Sequence, residues 1–296
     1  MNSFWQTTRF RIDLSRPRVM GIVNVTPDSF SDGGQHADAT SAIAHCECLV
    51  AEGADILDIG GESTRPGAVS PDADAEWARV CPVLEAAVKL GLPVSVDTSK
   101  PEVMRRALDL GADIINDVRA LQRPGAVEVL AAQANTGLCL MHMRGEPDSM
   151  QSLAEYSDVT REVAAFIAQR VAVVRAAGVA PERIVLDPGY GFAKAGAHNL
   201  QLLREQRELL CLGYPLLAGW SRKRTLGELT GRAPQERQAA SVAAALLAVV
   251  NGARIVRVHD VAATVDALKV WGAGDGPGFN DNSQIQKQFQ RQGTEQ

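Results

Sequence analysis

Eight short apolar runs punctuate the chain, at residues 19–23, 56–59, 93–96, 114–115, 138–141, 184–186, 216–218 and 255–258. They are rich in Val, Ile and Leu, as strands buried on both faces are. Each leads into polar side chains: Asn24, the Glu62-Ser63-Thr64-Arg65 cluster, Asp97, Asn116, His142, Asp187, Ser221-Arg222-Lys223 and Arg257-Val258-His259. Between the runs the apolar spacing turns helical, over 39–52, 73–89, 101–110, 125–134, 159–177, after His198, after Ser221 with a break near 231–234, over 236–250, and over 261–271. Pro101 suits the first turn of its helix and Gly111 the end. Repeated βα units with polar groups at the strand ends predict a single-domain (β/α)8 TIM barrel. Such a barrel gathers one site from the ends of many strands. An open flavodoxin-like sheet is the rival, but that architecture ordinarily uses about five strands.

Two connections stand out, 24–34 and 60–72, the long loops after strands 1 and 2. Loops of this length in a compact domain tend to be functional or mobile. The Gly33-Gly34 and Gly60-Gly61 pairs look like their hinges. The barrel is expected to occupy 1–272. The Gly-, Gln- and Asn-rich segment 273–296 has few apolar groups and is expected to be a disordered tail.

Hydrophobic content of 46% and charged content of 22% over 296 residues suit a soluble protein with a sizeable core. A formal net charge of −5 speaks against nucleic acid or an anionic membrane as partner. The opening MNSFWQTTRFRID lacks the apolar core of a signal peptide, and the apolar stretch 241–250 is too short to cross a bilayer. A cytoplasmic location is expected, and the five Cys, with no CxxC pair, are expected to be reduced thiols.

Asp97, Asn116 and Asp187 each end an apolar strand, where an unpaired carboxylate is costly. Converging on one pocket, they would offer acceptors and a donor to a flat heterocycle with ring N–H and exocyclic amino groups. Alternatively, Asp97 and Asp187 cap the helices that follow. Arg257 and His259 share a face of one strand. Arg65 and Lys223 are the other candidate cations, and Arg257 with His259 would hold an oxyanion such as phosphate or pyrophosphate, or else form a surface ion pair and a packed His. Ser221 to Lys223 is expected to open a helix, as an anion site or as a plain N-cap. A zinc cluster, a GxSxG elbow and a P-loop are absent from the sequence.

Eight ordered motifs carry a resemblance. They are MGIVNVTPDSFSDGG at 20–34, DIGGESTRPGA at 58–68, SVDTSKPEV at 95–103, IINDV at 114–118, LMHM at 140–143, LDPGYGF at 186–192, SRK at 221–223 and RVHD at 257–260. The sequence resembles the dihydropteroate synthase family of folate biosynthesis over about residues 14–272. The resemblance implies condensation of 6-hydroxymethyl-7,8-dihydropterin pyrophosphate with p-aminobenzoate to give 7,8-dihydropteroate and pyrophosphate. By the same resemblance Asp97, Asn116, Asp187 and Lys223 would line the pterin pocket. Asn24, Arg257 and His259 would hold pyrophosphate, with Asn24 near Mg²⁺. Phe30, Thr64, Arg65, Pro66, Phe192 and Ser221 would meet p-aminobenzoate, which sulfonamides mimic. Phe30 and Asp32 would belong to a loop that orders over the substrates. Asp32, Lys223 and Arg257 are the catalytic candidates, with Asp32 facing the developing positive charge.

Two other classes share the barrel: a corrinoid-linked pterin methyltransferase and a catalytically silent pterin-binding paralogue. The first would lack the Arg257/His259 pair and the TPDSFSDGG loop. The second would have lost Asp97, Asp187, Lys223 or Arg257, and all are present. The chain departs from the family pattern at Tyr190 (usually Phe), Trp220 (usually smaller), Arg224 (usually Ser) and 237–241. The stretch 235–250 is apolar on nearly all sides, which predicts packing beyond its own barrel, or else close packing on the barrel itself. The resemblance implies a homodimer through these late helices.

Overall fold

The computed structural model describes residues 3–26, 34–63, 70–146 and 149–274. Two short strands come first, β1 (Phe4–Gln6) and β2 (Arg11–Asp13), paired antiparallel. The barrel strands are β3 (Arg18–Asn24), β4 (Ile56–Gly60), β5 (Val94–Asp97), β6 (Ile114–Asp117), β7 (Gly137–Met141), β8 (Ile184–Asp187), β9 (Leu216–Ala218) and β10 (Ala253–Val258). They close as β10-β3-β4-β5-β6-β7-β8-β9, with every pairing parallel. The helices are α1 (Gly34–Ala51), α2 (Ala73–Ala87), α3 (Pro101–Leu110), α4 (Ala126–Ala131), α5 (Val159–Ala176), α6 (Gly196–Arg204), α7 (Arg224–Thr230), α8 (Gln238–Val250) and α9 (Val261–Gly274). The chain is therefore the (β/α)8 barrel its apolar pattern predicts, and α1 begins at Gly34, ahead of the expected 39.

Strand parity divides the core in two. Val23, Ile59, Val96, Ile115, Leu140, Leu186, Ala218 and Val256 belong to the layer that packs under the helices. Met20, Ile56, Ile114, Cys139, Val185, Leu217 and Ile255 face the lumen as a second cluster. Trp5, Ile12 and Leu14 complete that cluster from below. The β1–β2 hairpin is thus a plug for the N-terminal end of the barrel. Trp5 is fully buried there and its Nε1–H donates to the Arg183 carbonyl at 2.8 Å. Arg9 locks the hairpin to Asp113 with a 2.6 Å ion pair. Nothing in the sequence reading anticipated this hairpin, because three-residue strands with mixed polarity carry no period to detect.

Helix ends follow local chemistry. Asp72 caps α2 by accepting from Ala75 N–H at 2.7 Å. Pro101 stands at the start of α3, and Gly111 ends it with φ +107°. Asp158 caps α5. The apolar α8 buries Ser241, Ala244, Ala245, Ala248 and Val249 and leaves Leu247 and Val250 exposed. No helix among the described residues is long and apolar enough to cross a membrane.

Candidate active site

The lumen turns polar two residues after its apolar floor. Ile56 is followed by Asp58, Ile114 by Asn116, Val185 by Asp187 and Ile255 by Arg257, each on the same side of its strand. Their hydrogen bonds run between strands that are not neighbours, so they cross the lumen. Arg257 Nε donates to Asp58 Oδ2 at 2.6 Å and its NH2 donates to Asp97 Oδ2 at 2.9 Å. Asn116 Nδ2 donates to the same Asp58 Oδ2 at 3.2 Å. Asn24 joins at the end of β3: a Cβ on Gly60 would stand 3.6 Å from Asp97 Cβ and 4.0 Å from Asn24 Oδ1. Asp58 is fully buried, and its Oδ1 has no partner among the described residues.

The alternative helix-capping role of Asp97 and Asp187 is not what the structure builds. The cap position of α3 is Lys100 and that of α6 is Ala195. Asp187 Oδ1 instead accepts from Gly189 N–H at 2.7 Å. Gly189 is required there: its φ is +71°, and a Cβ would come within 2.0 Å of the His142 carbonyl oxygen. Beside Asn116 it is Asp117 that holds the turn, accepting from Arg119 N–H at 2.8 Å and Leu121 N–H at 2.7 Å. That leaves the Asn116 amide turned to the lumen and Asp58.

The titration of these groups follows from burial and neighbours. Burial raises Asp97 to about 8, with Arg257 opposing and Asp58 adding to the rise. Burial also raises Asp187, against the Gly189 hydrogen bond and Lys223. Burial, then the Arg257 charge, lowers Lys223 to about 8. Arg257 goes the other way, because Asp58 and Asp97 outweigh its own burial cost. The pocket therefore holds under-solvated acceptors and two firmly placed cations. A planar ligand edge rich in N–H donors would relieve the first and an anionic group the second.

Lys223 Nζ lies 4.0 Å from the centroid of the Phe192 ring, joining the loops after β8 and β9. Ser221 does not open a helix. α7 starts at Arg224 with Lys223 at its cap, and Arg222 takes a left-handed turn at φ +59°. The Ser221 hydroxyl oxygen accepts from His259 N–H at 3.1 Å and lies 2.9 Å from His259 Nδ1. Burial, then Arg222, holds His259 down at about 3, so its ring is neutral.

His142 is not part of the ring. It follows Met141 with the opposite parity and packs edge-on to Phe166 of α5 at 5.0 Å, on the helix side of β7. Phe30, Asp32, Thr64, Arg65 and Pro66 lie outside the described residues. Sequence reasoning missed Asp58, hidden inside an apparently continuous apolar strand. The signal was present: an acid at the lumen parity, two residues after Ile56. The departures at Tyr190 and Trp220 prove to be one feature, since their rings pack together at 4.5 Å. Arg224 is exposed and pairs with Glu228 at 2.8 Å, one turn along its own helix.

Comparison with known proteins assigns this architecture to a class. A family model described as "Pterin binding enzyme" matches residues 20–259. Dihydropteroate synthase of Neisseria meningitidis serogroup B is 58% identical over 275 residues, covering 91% of this chain and 96% of the relative. Xanthomonas albilineans dihydropteroate synthase with 4-aminobenzoic acid superposes with TM-score 0.87 at 52% identity, covering 92% of this chain and 98% of that one. The same enzyme in complex with 7,8-dihydropteroate gives TM-score 0.82 at 51% identity, covering 89% of this chain and 95% of that one. The chain belongs to the dihydropteroate synthase family of pterin-binding enzymes, and with it to the transferases.

Proposed function

We propose that this chain joins 6-hydroxymethyl-7,8-dihydropterin pyrophosphate to p-aminobenzoate, forming 7,8-dihydropteroate and releasing pyrophosphate. The observation that carries the reading is the lumen-crossing set Asp58–Arg257–Asp97–Asn116, with Asp187 and Lys223 beside it. The relatives' complexes with 4-aminobenzoic acid and 7,8-dihydropteroate support it.

Asp97, Asn116 and Asp187 receive the donor-rich pterin edge, and Lys223 closes that pocket. Arg257 and His259 face the pyrophosphate, His259 as a neutral ring turned by Ser221. Asn24 offers a hard amide oxygen at the same rim. It would hold Mg²⁺, which would supply charge neutralisation to the leaving group. Ser221, Phe192 and the loop residues Phe30, Thr64, Arg65 and Pro66 receive p-aminobenzoate.

Bond breaking comes first. Pyrophosphate takes both electrons of the C–O bond and leaves a carbocation at the exocyclic carbon, stabilised by the electron-rich dihydropterin ring. The arylamine lone pair then forms the C–N bond and the nitrogen sheds a proton. The chain's task is positioning and electrostatic stabilisation, with no general base needed for the first step. Asp32 faces the cation as it forms. The protein works in the cytoplasm as a homodimer through its late helices, where Leu247, Val250 and Val270 stand exposed on α8 and α9.

An assay of purified protein with Mg²⁺ and both substrates tests the reading. Stoichiometric dihydropteroate and pyrophosphate, lost in Asp187→Ala and Arg257→Ala, is the expected result; pterin binding without product refutes it. For the order of steps, bridging ¹⁸O in the dihydropterin pyrophosphate should scramble without p-aminobenzoate. Retention of the label would count against the carbocation.

A further inference from the structure

One buried lysine takes no part in the site above. Lys194 is 3% exposed, inside the loop between β8 and α6. Its Nζ donates to the Gly189 carbonyl at 2.9 Å and the Phe192 carbonyl at 3.0 Å, and lies 2.9 Å from His142 Nδ1. The His142 carbonyl is a longer fourth neighbour at 3.4 Å. Burial pushes Lys194 well below its ordinary value; an ammonium has three hydrogens and no acceptor, and the three close acceptors here are what would hold its charge. An ammonium is costly in such a place unless each donor is used.

The loop needs this holding. Between Phe192 and Lys194, Ala193 sits in the left-handed region at φ +49°, which a residue with a Cβ adopts only under constraint. That turn sends Lys194 back beneath the loop it belongs to. From the far side Asn199, 1% exposed, accepts from Gly191 N–H at 2.8 Å and donates to the Lys194 carbonyl at 3.1 Å. The carbonyls that Lys194 gathers flank both functional ends of the loop. Gly189 gives its N–H to Asp187, and Phe192 lays its ring against Lys223. Asp187 is also anchored by its own strand, whereas Phe192 depends on the loop alone.

We propose that Lys194 is a positioning residue: its ammonium, on the bare Nδ1 of His142, fixes the 189–192 loop and so the Phe192–Lys223 wall that p-aminobenzoate meets. The proposal rests on the functional reading above for the identity of that ligand, and on the described contacts alone for the geometry.

The test compares wild type with Lys194→Met, which keeps the stem and drops the donors. KM for p-aminobenzoate should rise about tenfold or more, while KM for the pterin pyrophosphate moves by less than about threefold, a split measured on the scale where tenfold is one decade of affinity. Unchanged constants overturn the proposal. So does an even loss in both KM values and kcat, which is what general loosening would give. The wild-type tautomer of His142 decides the geometry without any variant. ¹⁵N-resolved spectra at neutral pH should show Nε2 protonated and Nδ1 bare, and a protonated Nδ1 overturns the arrangement even if Lys194→Met does not fold. Wild-type protein that forms no dihydropteroate sinks the functional reading instead, and the tautomer still judges Lys194.

Discussion

Asp58→Asn probes the lumen-crossing network, because it keeps the side chain's shape while replacing the charged carboxylate with a neutral amide. Asp58 Oδ2 takes Arg257 Nε at 2.6 Å and Asn116 Nδ2 at 3.2 Å, so one oxygen aims a cation and an amide together. Stranding a deeply buried partner costs about 3–5 kcal/mol. Arg257 is not stranded, since its side chain is 21% exposed and Asp97 stays at 2.9 Å. The remaining loss is one charge-assisted bond, about 2 kcal/mol. Expressed in aim rather than stability, that is about a 30-fold fall in kcat/KM for the pterin pyrophosphate. KM for p-aminobenzoate should hardly change. Unfolding free energy should drop by no more than about 1 kcal/mol, because the variant also removes a buried charge whose other oxygen has no partner among the described residues. Steady-state kinetics with urea unfolding read both. A kcat/KM within about threefold of wild type would refute the claim that Asp58 aims Arg257.

Three further outcomes follow from the same geometry. Trp5→Ala at the floor of the barrel should cost about 3–5 kcal/mol in urea unfolding and leave kcat of the folded fraction intact; lost kcat at full folding would contradict the plug role. Gly189→Ala, at φ +71° with a Cβ 2.0 Å from a carbonyl oxygen, should cost at least about 3 kcal/mol and most of the soluble yield, and a well-folded variant would mean the turn can rearrange. Burial and the Arg257 charge lower Lys223 to about 8, so its ammonium loses its proton as pH rises through that value. Accordingly kcat/KM for the pterin substrate should fall above about pH 8, and Lys223→Arg should move that limb upward; a limb that stays put would remove Lys223 from pterin binding.

The outer architecture was legible because it rests on a repeated local signal. The eight apolar runs are strands, and Asp97, Asn116, Asp187 and Arg257 stand at strand ends because a barrel lumen turns polar only at its mouth. Parity was harder to read. His142 ends a strand just as Asp187 does, yet Met141 takes the lumen side and His142 faces α5. Asp58 was invisible for the opposite reason: an acid inside an apolar run reads as noise until its partner, 199 residues along the chain, is known. Ser221 looked like a helix cap because Ser commonly is one. The left-handed Arg222 instead turns the chain so that the hydroxyl meets His259. These errors share a cause. Spacing reports local periodicity, while the site depends on which strands face each other across the lumen.

The most direct measurement is a crystal structure of the protein with 6-hydroxymethyl-7,8-dihydropterin pyrophosphate bound. The pterin edge should lie against Asp97, Asn116 and Asp187, with the diphosphate at Asn24, Arg257 and His259. A pterin bound away from the lumen, or with its ring edge turned from those three residues, would contradict the account.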